Sequence, residues 1–301
     1  MIEIIPLTLQ HKERVTTFLE RYPPAISELT FTNLYVWRHS RPMWIAEISG
    51  TIVFLIDGGE KHDHKKIIFG HPVGPVSLLD VENHLQDSIN GSIRLPEKDA
   101  YLLHKTGKSI FEDRDNFDYV YRVQDLTELR GRQYTKKRNH VNQCLARYSC
   151  EYEPITSENL KECIKMLERW CDTKDCSDTP GLCGEYQAIM ESFKHDELFN
   201  VIGGAIRVDG EIQAFALGEK LTPDTAVWHF EKAMPDINGL AQLINKWFAQ
   251  YSLQQFTYVN REQDLGIPGL RQAKESYYPH HMVAKYNTIK NPPTSNIVEC
   301  L

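Results

Sequence analysis

Twice along the chain the same order of apolar and polar positions recurs. Glu3 to Tyr22 reads EIIPLTLQHKERVTTFLERY and Glu151 to Trp170 reads EYEPITSENLKECIKMLERW, at a constant offset of 148. Pro6 matches Pro154, Thr8 matches Thr156, and Leu19-Glu20-Arg21 matches Leu167-Glu168-Arg169. Each copy predicts a short strand, a Pro, a Thr placed to cap a helix, and then an amphipathic helix. In the second copy Leu160, Cys163, Ile164, Leu167, Trp170 and Cys171 follow the i, i+3, i+4 rhythm of one buried face. Two unrelated helices would share that rhythm, but not the Pro and Thr before it.

The likeness continues downstream. Trp44 to Ile56 is two apolar runs joined at Ser49-Gly50, and Ile202 to Leu217 is two runs joined at Asp209-Gly210; both predict hairpins. Another β-rich run follows each (Lys66 to Phe69, Ala226 to Ala233), and then a helical pattern. Leu240, Leu243, Ile244, Trp247, Phe248 and Tyr251 make a clear apolar face; Leu78, Val81, Leu85 and Ile89 make a weaker one. Asp118 to Val123 is predicted to close the first half, and Tyr278 to Tyr286 to supply the last strand of the second, which takes Gly181 to Phe193 as its second helix. The division is therefore 1–123, a connector at 124–148, a second domain at 149–290 and a tail at 291–301.

Composition narrows the class. A chain of 301 residues with 41% hydrophobic and 25% charged residues suits two ordinary globular domains. A net charge of −7 does not mark the whole surface for nucleic acid or anionic lipid. No run approaches the roughly 18 apolar residues of a membrane span, and Met1-Ile2-Glu3 does not open a signal peptide. The expectation is a cytoplasmic protein, with any lipid contact peripheral. Seven cysteines fit a reducing compartment. Cys171, Cys176 and Cys183, with His195 beyond, lack C-x-x-C spacing, and His62, His64 and His71 lie among lysines, so no metal site is predicted. The oligomeric state is not legible.

The connector carries the most unusual charge. Arg130, Arg132, Lys136, Lys137, Arg138 and Arg147 occur between Arg130 and Cys150 with no acid. Val141, Cys144, Leu145 and Tyr148 mark a helix starting near Lys136, so three cations sit at the positive end of its dipole, each placement unfavourable by about 0.3–1 kcal/mol. A bound phosphate or nucleic acid would relieve that conflict; so would nearby acids such as Glu128 or Asp125. Both readings stand at this point.

Tyr258 to Pro279 (YVNREQDLGIPGLRQAKESYYP) places Asn260 to Asp264, all polar, at the end of a short buried strand. That is where α/β sheets seat ligands. After the Gly266, Pro268, Gly269 break, a short helix is predicted with Leu270 and Ala273 toward a core and Arg271 and Lys274 away from it.

This stretch, with Phe230-Glu231-Lys232 and Arg130 to Gln143, resembles an uncharacterised bacterial family. That family is named for its similarity to the C-terminal catalytic domain of phosphatidylglycerol lysyltransferase, and is related to aminoacyl-tRNA-dependent peptidyltransferases of peptidoglycan. The resemblance covers Ile2 to Ile289. It implies an α+β protein of two tandem GCN5-related N-acetyltransferase-like domains, each a mostly antiparallel mixed sheet flanked by helices.

In that fold the acyl donor enters where the fourth strand parts from the fifth. By the resemblance, Glu231 is the general base and Tyr277 a proton donor or phosphate ligand. Lys232, Asn260, Arg261, Glu262, Gln263, Asp264, Arg271 and Lys274 are then substrate residues. Glu231 and Asn260–Asp264 should face one cleft, with Arg271, Lys274 and Tyr277 near its rim. Strand alternation expects Glu231 and Lys232 on opposite faces, so that only one of them faces a given pocket. Pro235 to Ala241, at the position of the coenzyme A pyrophosphate loop, keeps one Gly and adds Asp236. A carboxylate there repels pyrophosphate, so no cofactor is predicted and the donor expected is aminoacyl-tRNA or another acyl compound. The acceptor is a lipid headgroup, a peptide or a small molecule. The alternative is a non-catalytic module binding a nucleotide, tRNA or metabolite in the same cleft.

Overall fold

Both hairpin turns form where the pattern puts them. Ser49 and Gly50 adopt φ of 46° and 74°, and Asp209 and Gly210 adopt 49° and 92°. Two successive positive φ values give the turn whose twist matches the flanking strands. The protein is described here from a computed structural model, which covers residues 2–59, 65–173, 180–195, 199–290 and 292. His62, His64, Cys176 and nearly all of the expected tail lie outside the described residues. The chain divides into one unit of Met1–Asp118, Gln263–Arg271 and Met282–Leu301, and another of Tyr119–Glu262 and Gln272–His281.

The first unit runs β1 (Ile4–Pro6), α1 (Lys12–Arg21), α2 (Phe31–Val36), β2 (Met43–Ile48), β3 (Thr51–Asp57), β4 (Lys66–Phe69), α3 (Leu78–Leu85) and β5 (Ile89–Ile93). Next come β6 (Leu95–Pro96), α4 (Glu97–Lys105) and β7 (Phe111–Glu112), and the chain leaves this unit through β8 (Asp118–Arg122). Its sheet has the order β1-β2-β3-β4-β5, antiparallel except for the parallel β4–β5 pair. Val53, Leu55 and Ile68 from the strands pack with Leu78, Val81 and Leu85 of α3. Ile89, which fits the helical rhythm, instead opens β5.

The second unit contains α5 (Val123–Glu128), α6 (Thr135–Arg147), β9 (Cys150–Pro154), α7 (Leu160–Asp172), α8 (Pro180–Lys194), β10 (Ile202–Val208), β11 (Glu211–Lys220) and β12 (Thr225–Ala233). Further along the chain come α9 (Leu240–Ser252), β13 (Tyr258–Asn260), α10 (Pro268–Glu275), β14 (His281–Val283) and β15 (Lys285–Asn287). Strands β9 to β13 repeat the order and directions of β1 to β5, including the parallel last pair. The two sheets thus carry the expected antiparallel-rich, helix-flanked architecture twice. The basic connector is not a linker: α5 and α6 both pack on α9. Helix α6 starts at Thr135, buries Val141 and Cys144, and leaves Leu145 exposed, so its buried face is narrower than expected.

The closing strands are exchanged. Strand β8, expected to complete the first sheet, pairs antiparallel with β13, Val259 opposite Tyr121. Tyr278–Tyr286 is not one strand; its last part, β15, pairs with β6 and β7, and Thr288 exchanges hydrogen bonds with Ser92 of β5. The physical reason is charge. Lys285 is fully buried and donates to Glu28 and Asp118, both at 2.6 Å, so β15 is held where those carboxylates are.

At α7 the N-cap position falls at Asn159, which makes no side-chain cap hydrogen bond. Thr156 does its work one turn earlier: its hydroxyl accepts from the Glu158 N–H at 3.3 Å and its carbonyl from the Leu160 N–H at 3.0 Å. On α10 the expected faces hold only in part and are corrected: Leu270 is half-buried but Ala273 is exposed, while Arg271 bonds Asp264 and Lys274 donates to the Arg261 carbonyl. Buried acceptors draw the cations inward, which apolar periodicity does not reveal.

Candidate active site

The site grows from an irregularity in β12. Leu217 of β11 lies opposite Phe230, but the next residue, Gly218, lies opposite Trp228. His229 is therefore the extra residue of a β-bulge. A Cβ on Gly218 would sit 2.5 Å from the Val227 carbonyl oxygen, so the close approach at the bulge requires glycine. Pairing of β12 with β13 ends at Val227 opposite Asn260. Beyond that point the strands part, and Glu231 sits on the freed end of β12.

Two charged rungs cross the gap. Arg261 reaches the Glu231 carboxylate at 3.0 Å, and Glu262 accepts from His229 at 2.7 Å. Asn245 of α9 donates to the other Glu231 oxygen at 2.6 Å and takes a hydrogen bond from Arg261. Burial pushes the Glu231 carboxyl above its usual range; Arg261, Asn245, Lys274 and Lys232 pull it back without cancelling the effect. The Arg261 guanidinium also stacks on Trp228, 4.6 Å from the ring centre.

Nothing in the sequence pattern singles out His229, yet it is central here. Its Nε2 meets Glu219 at 2.8 Å, and its side chain is 3% exposed. Burial opposes its charge, but the hydrogen bonds to Glu219 and Glu262 outweigh burial and lift its pKa to about 9. The imidazolium pins the bulge from both sides.

An open cleft of about 430 Å³ lies at the end of β12, lined by Glu231, Lys232, Trp170 and the turn from Pro235 to Gln242. Lys232 does not face away from it: both Glu231 and Lys232 belong to the lining, because the cleft wraps the strand's end. Lys232 is buried between the Trp170 ring, 4.0 Å away, and Glu185, at 2.6 Å. Gly239 starts α9 with φ 87°, and any Cβ there would collide with the His140 carbonyl of α6.

Of the expected site residues, Glu231, Lys232, Arg261, Lys274 and Tyr277 come together in this unit. Tyr277 is buried rather than rim-exposed, and both Arg261 and Lys137 stack on its ring, at 5.4 and 4.1 Å. Burial raises its hydroxyl pKa. Asn260 is buried and turns its oxygen to the Glu262 N–H. Glu262 takes a φ of 58°, which redirects the chain. Gln263, Asp264 and Arg271 consequently fall in the other unit with internal partners. Gln263 bonds Ser27 and Asp118, while Asp264, fully buried, accepts from Arg114 and Arg271.

The basic residues separate in the same way. Arg138 donates to the Leu129 and Gly131 carbonyls, closing the end of α5. Arg130, 81% exposed, pairs with Glu128 at 2.9 Å. Arg132 and Lys136 are exposed. Lys137 alone among these cations turns toward Glu231, Arg261 and Tyr277. Among the described residues no three His, Cys, Asp or Glu side chains are grouped to hold a metal, and no helix is long and apolar enough to cross a membrane.

Comparison with known proteins finds the same fold in solved structures. A conserved protein of unknown function from Bacteroides thetaiotaomicron is 32% identical, with a TM-score of 0.87 over 95% of this chain and 99% of that one. L-PGS from Bacillus licheniformis superposes with a TM-score of 0.64 at 14% identity, over 95% of this chain and 94% of that one. FemX superposes with a TM-score of 0.62 at 10% identity, over 99% of this chain and 100% of that one. No curated protein matches the sequence. The model of one family, phosphatidylglycerol lysyltransferase, C-terminal, matches residues 19–289. With nearly the whole sequence inside that match, the chain belongs to the phosphatidylglycerol lysyltransferase C-terminal family.

Proposed function

We propose that the protein transfers an aminoacyl group from aminoacyl-tRNA to the nucleophile of a lipid headgroup, a peptide or a small molecule. Family and fold point to an acyl or aminoacyl transferase, and the donor and acceptor are our reading. The observation that carries it is Glu231: a carboxylate with a raised pKa, on a strand end freed by a bulge, lining an open cleft. A base with its pKa shifted toward the working pH takes the proton of an attacking amine or hydroxyl. The cations around it outnumber the carboxylates, which suits a polyanionic donor. Exposed Arg130, Arg132 and Lys136 would meet the phosphates of the donor.

In the first unit the equivalent gap is closed. There β4 stays paired with β5 through Phe69, and the Gly70 N–H donates to Ile93 at 2.9 Å. Chemistry is accordingly assigned to the second unit.

One observation favours the binding-module reading: both Glu231 oxygens already have partners. Incubation with bulk tRNA charged with radiolabelled amino acids, plus phosphatidylglycerol vesicles, peptides or small amines, separates the two. Label moving to an acceptor supports the transferase. Saturable binding of charged tRNA without movement of label supports the module.

A further inference from the structure

We propose that Lys137 gives its proton to the leaving oxygen of the transfer in which Glu231 acts as base; this rests on the transferase reading. The cluster around Glu231 contains several groups that carry a proton, and most are committed elsewhere or hold it tightly. Arg261 holds Glu231 at 3.0 Å, and a guanidinium does not deprotonate in proteins. Lys232 is paired with Glu185 at 2.6 Å. Lys274 donates to the Arg261 carbonyl. The Tyr277 hydroxyl holds its proton more tightly because it is buried.

Lys137 differs from all of these. Its ammonium lies 4.1 Å from the centre of the Tyr277 ring, on the aromatic ring that Arg261 also faces. Among the described residues it has no hydrogen-bond or ion-pair partner. Burial, followed by the Arg261 charge, lowers its pKa, while Glu231 acts in the opposite direction. The groups facing it are Glu231 from β12, Arg261 after β13 and Tyr277 after α10, with Lys136 and Arg138 beside it on α6. A cation whose proton is loosened, next to a carboxylate whose proton is tightened, is the arrangement of an acid–base pair.

The step balances as follows. The acceptor nitrogen or oxygen attacks the ester carbonyl carbon, a new bond forms there, and its proton passes to Glu231. The carbon–oxygen bond to the tRNA ribose breaks, its electron pair stays on the ribose oxygen, and that oxygen takes a proton from Lys137. Glu231 then ends protonated and Lys137 neutral. Return of one proton from Glu231 to Lys137, directly or through water, restores both.

The test uses the full chain with charged bulk tRNA as donor and the acceptors named above. Lys137→Met should lower kcat by about 10²-fold or more with tRNA binding unchanged, the size expected for loss of a general acid. The alkaline limb of the kcat profile should disappear, and added ethylammonium should partly restore Lys137→Ala. Lys137→Arg, which keeps the charge but holds its proton, should remain slow and also lose that limb. Wild-type kcat in Lys137→Met, with Glu231→Gln slow, overturns this inference and leaves the transferase reading intact. No label transfer by the wild type overturns both. If Lys137→Met does not fold, Lys137→Arg decides: an alkaline limb in the wild-type position overturns the inference.

Discussion

Glu231 and Arg261 meet at 3.0 Å across the gap that opens where β12 leaves β13. The pairing has a measurable consequence. Arg261 favours the ionised carboxylate, so Arg261→Met should raise the Glu231 pKa further and move the acid limb of the rate profile to higher pH. Glu231→Gln, whose single carbonyl oxygen keeps the Asn245 contact and gives up the one to Arg261, should still fold and reduce transfer by roughly 10²–10⁴-fold. Full activity in Glu231→Gln would remove it from the chemistry.

His229 predicts a stability profile. Its folded-state pKa of about 9 lies above the ordinary value of 6.5, so its stabilisation is complete below 6.5 and is lost as pH rises through 9. Urea unfolding should therefore show stability falling by on the order of 2–3 kcal/mol between pH 6.5 and 9.5. His229→Gln should flatten that fall. An equally steep profile in the mutant would assign the pH dependence to other groups.

Gly218→Ala tests the bulge. A methyl group 2.5 Å from the Val227 carbonyl cannot be relieved by rotating a side chain, because the obstacle is backbone. We expect a loss of about 1–3 kcal/mol and a larger loss of transfer than of tRNA binding, since Glu231 is re-aimed. Wild-type stability would mean that the register of β11 and β12 differs from the one described.

Lys285→Met should be among the most damaging single changes. It leaves Glu28 and Asp118 buried without their cation, at a cost of about 3–5 kcal/mol. Thermal unfolding measures it directly. A mutant within about 1 kcal/mol of wild type would show that neighbouring Arg94 and protonation of Glu28 compensate.

The basic residues should divide in two. Replacing Arg130, Arg132 and Lys136 by Gln should leave stability near wild type while weakening tRNA binding. Its salt slope should become shallower by about 0.7–0.9 for each phosphate no longer neutralised. Arg138→Gln should instead destabilise the fold, because it uncaps the Leu129 and Gly131 carbonyls. An unchanged salt slope in the triple variant would remove those residues from the tRNA surface.

Much of this architecture is legible in the residues. The matched Pro and Thr of the two halves reveal the duplication, and the strand carrying Glu231 is found by its place in that repeat. The exchange of β8 and β15 is not legible. Asp118 to Tyr121 are all buried, which marks an interior strand but does not say of which sheet. His229 is invisible for another reason: Glu219 and Glu262 lie far from it along the chain, and no spacing rule joins them. Arg271 and Lys274 mislead because polar groups normally face water, and here their acceptors are inside.

The exchange of closing strands also governs when this protein can fold as it is made. The first unit needs Lys285–Asn287 to complete the small sheet with β6 and β7. Those residues leave the ribosome only after the whole second unit has been made. A chain of this size would ordinarily fold its N-terminal half during synthesis. Here that half waits, with Glu28 and Asp118 lacking their lysine, until Lys285 has emerged. Chains that have not yet exposed Lys285 should therefore be recognised as unfolded in their first unit, and pulse proteolysis comparing stalled chains, in which residues 285–287 still lie in the exit tunnel, with chains carrying a C-terminal extension that pushes those residues out would show it.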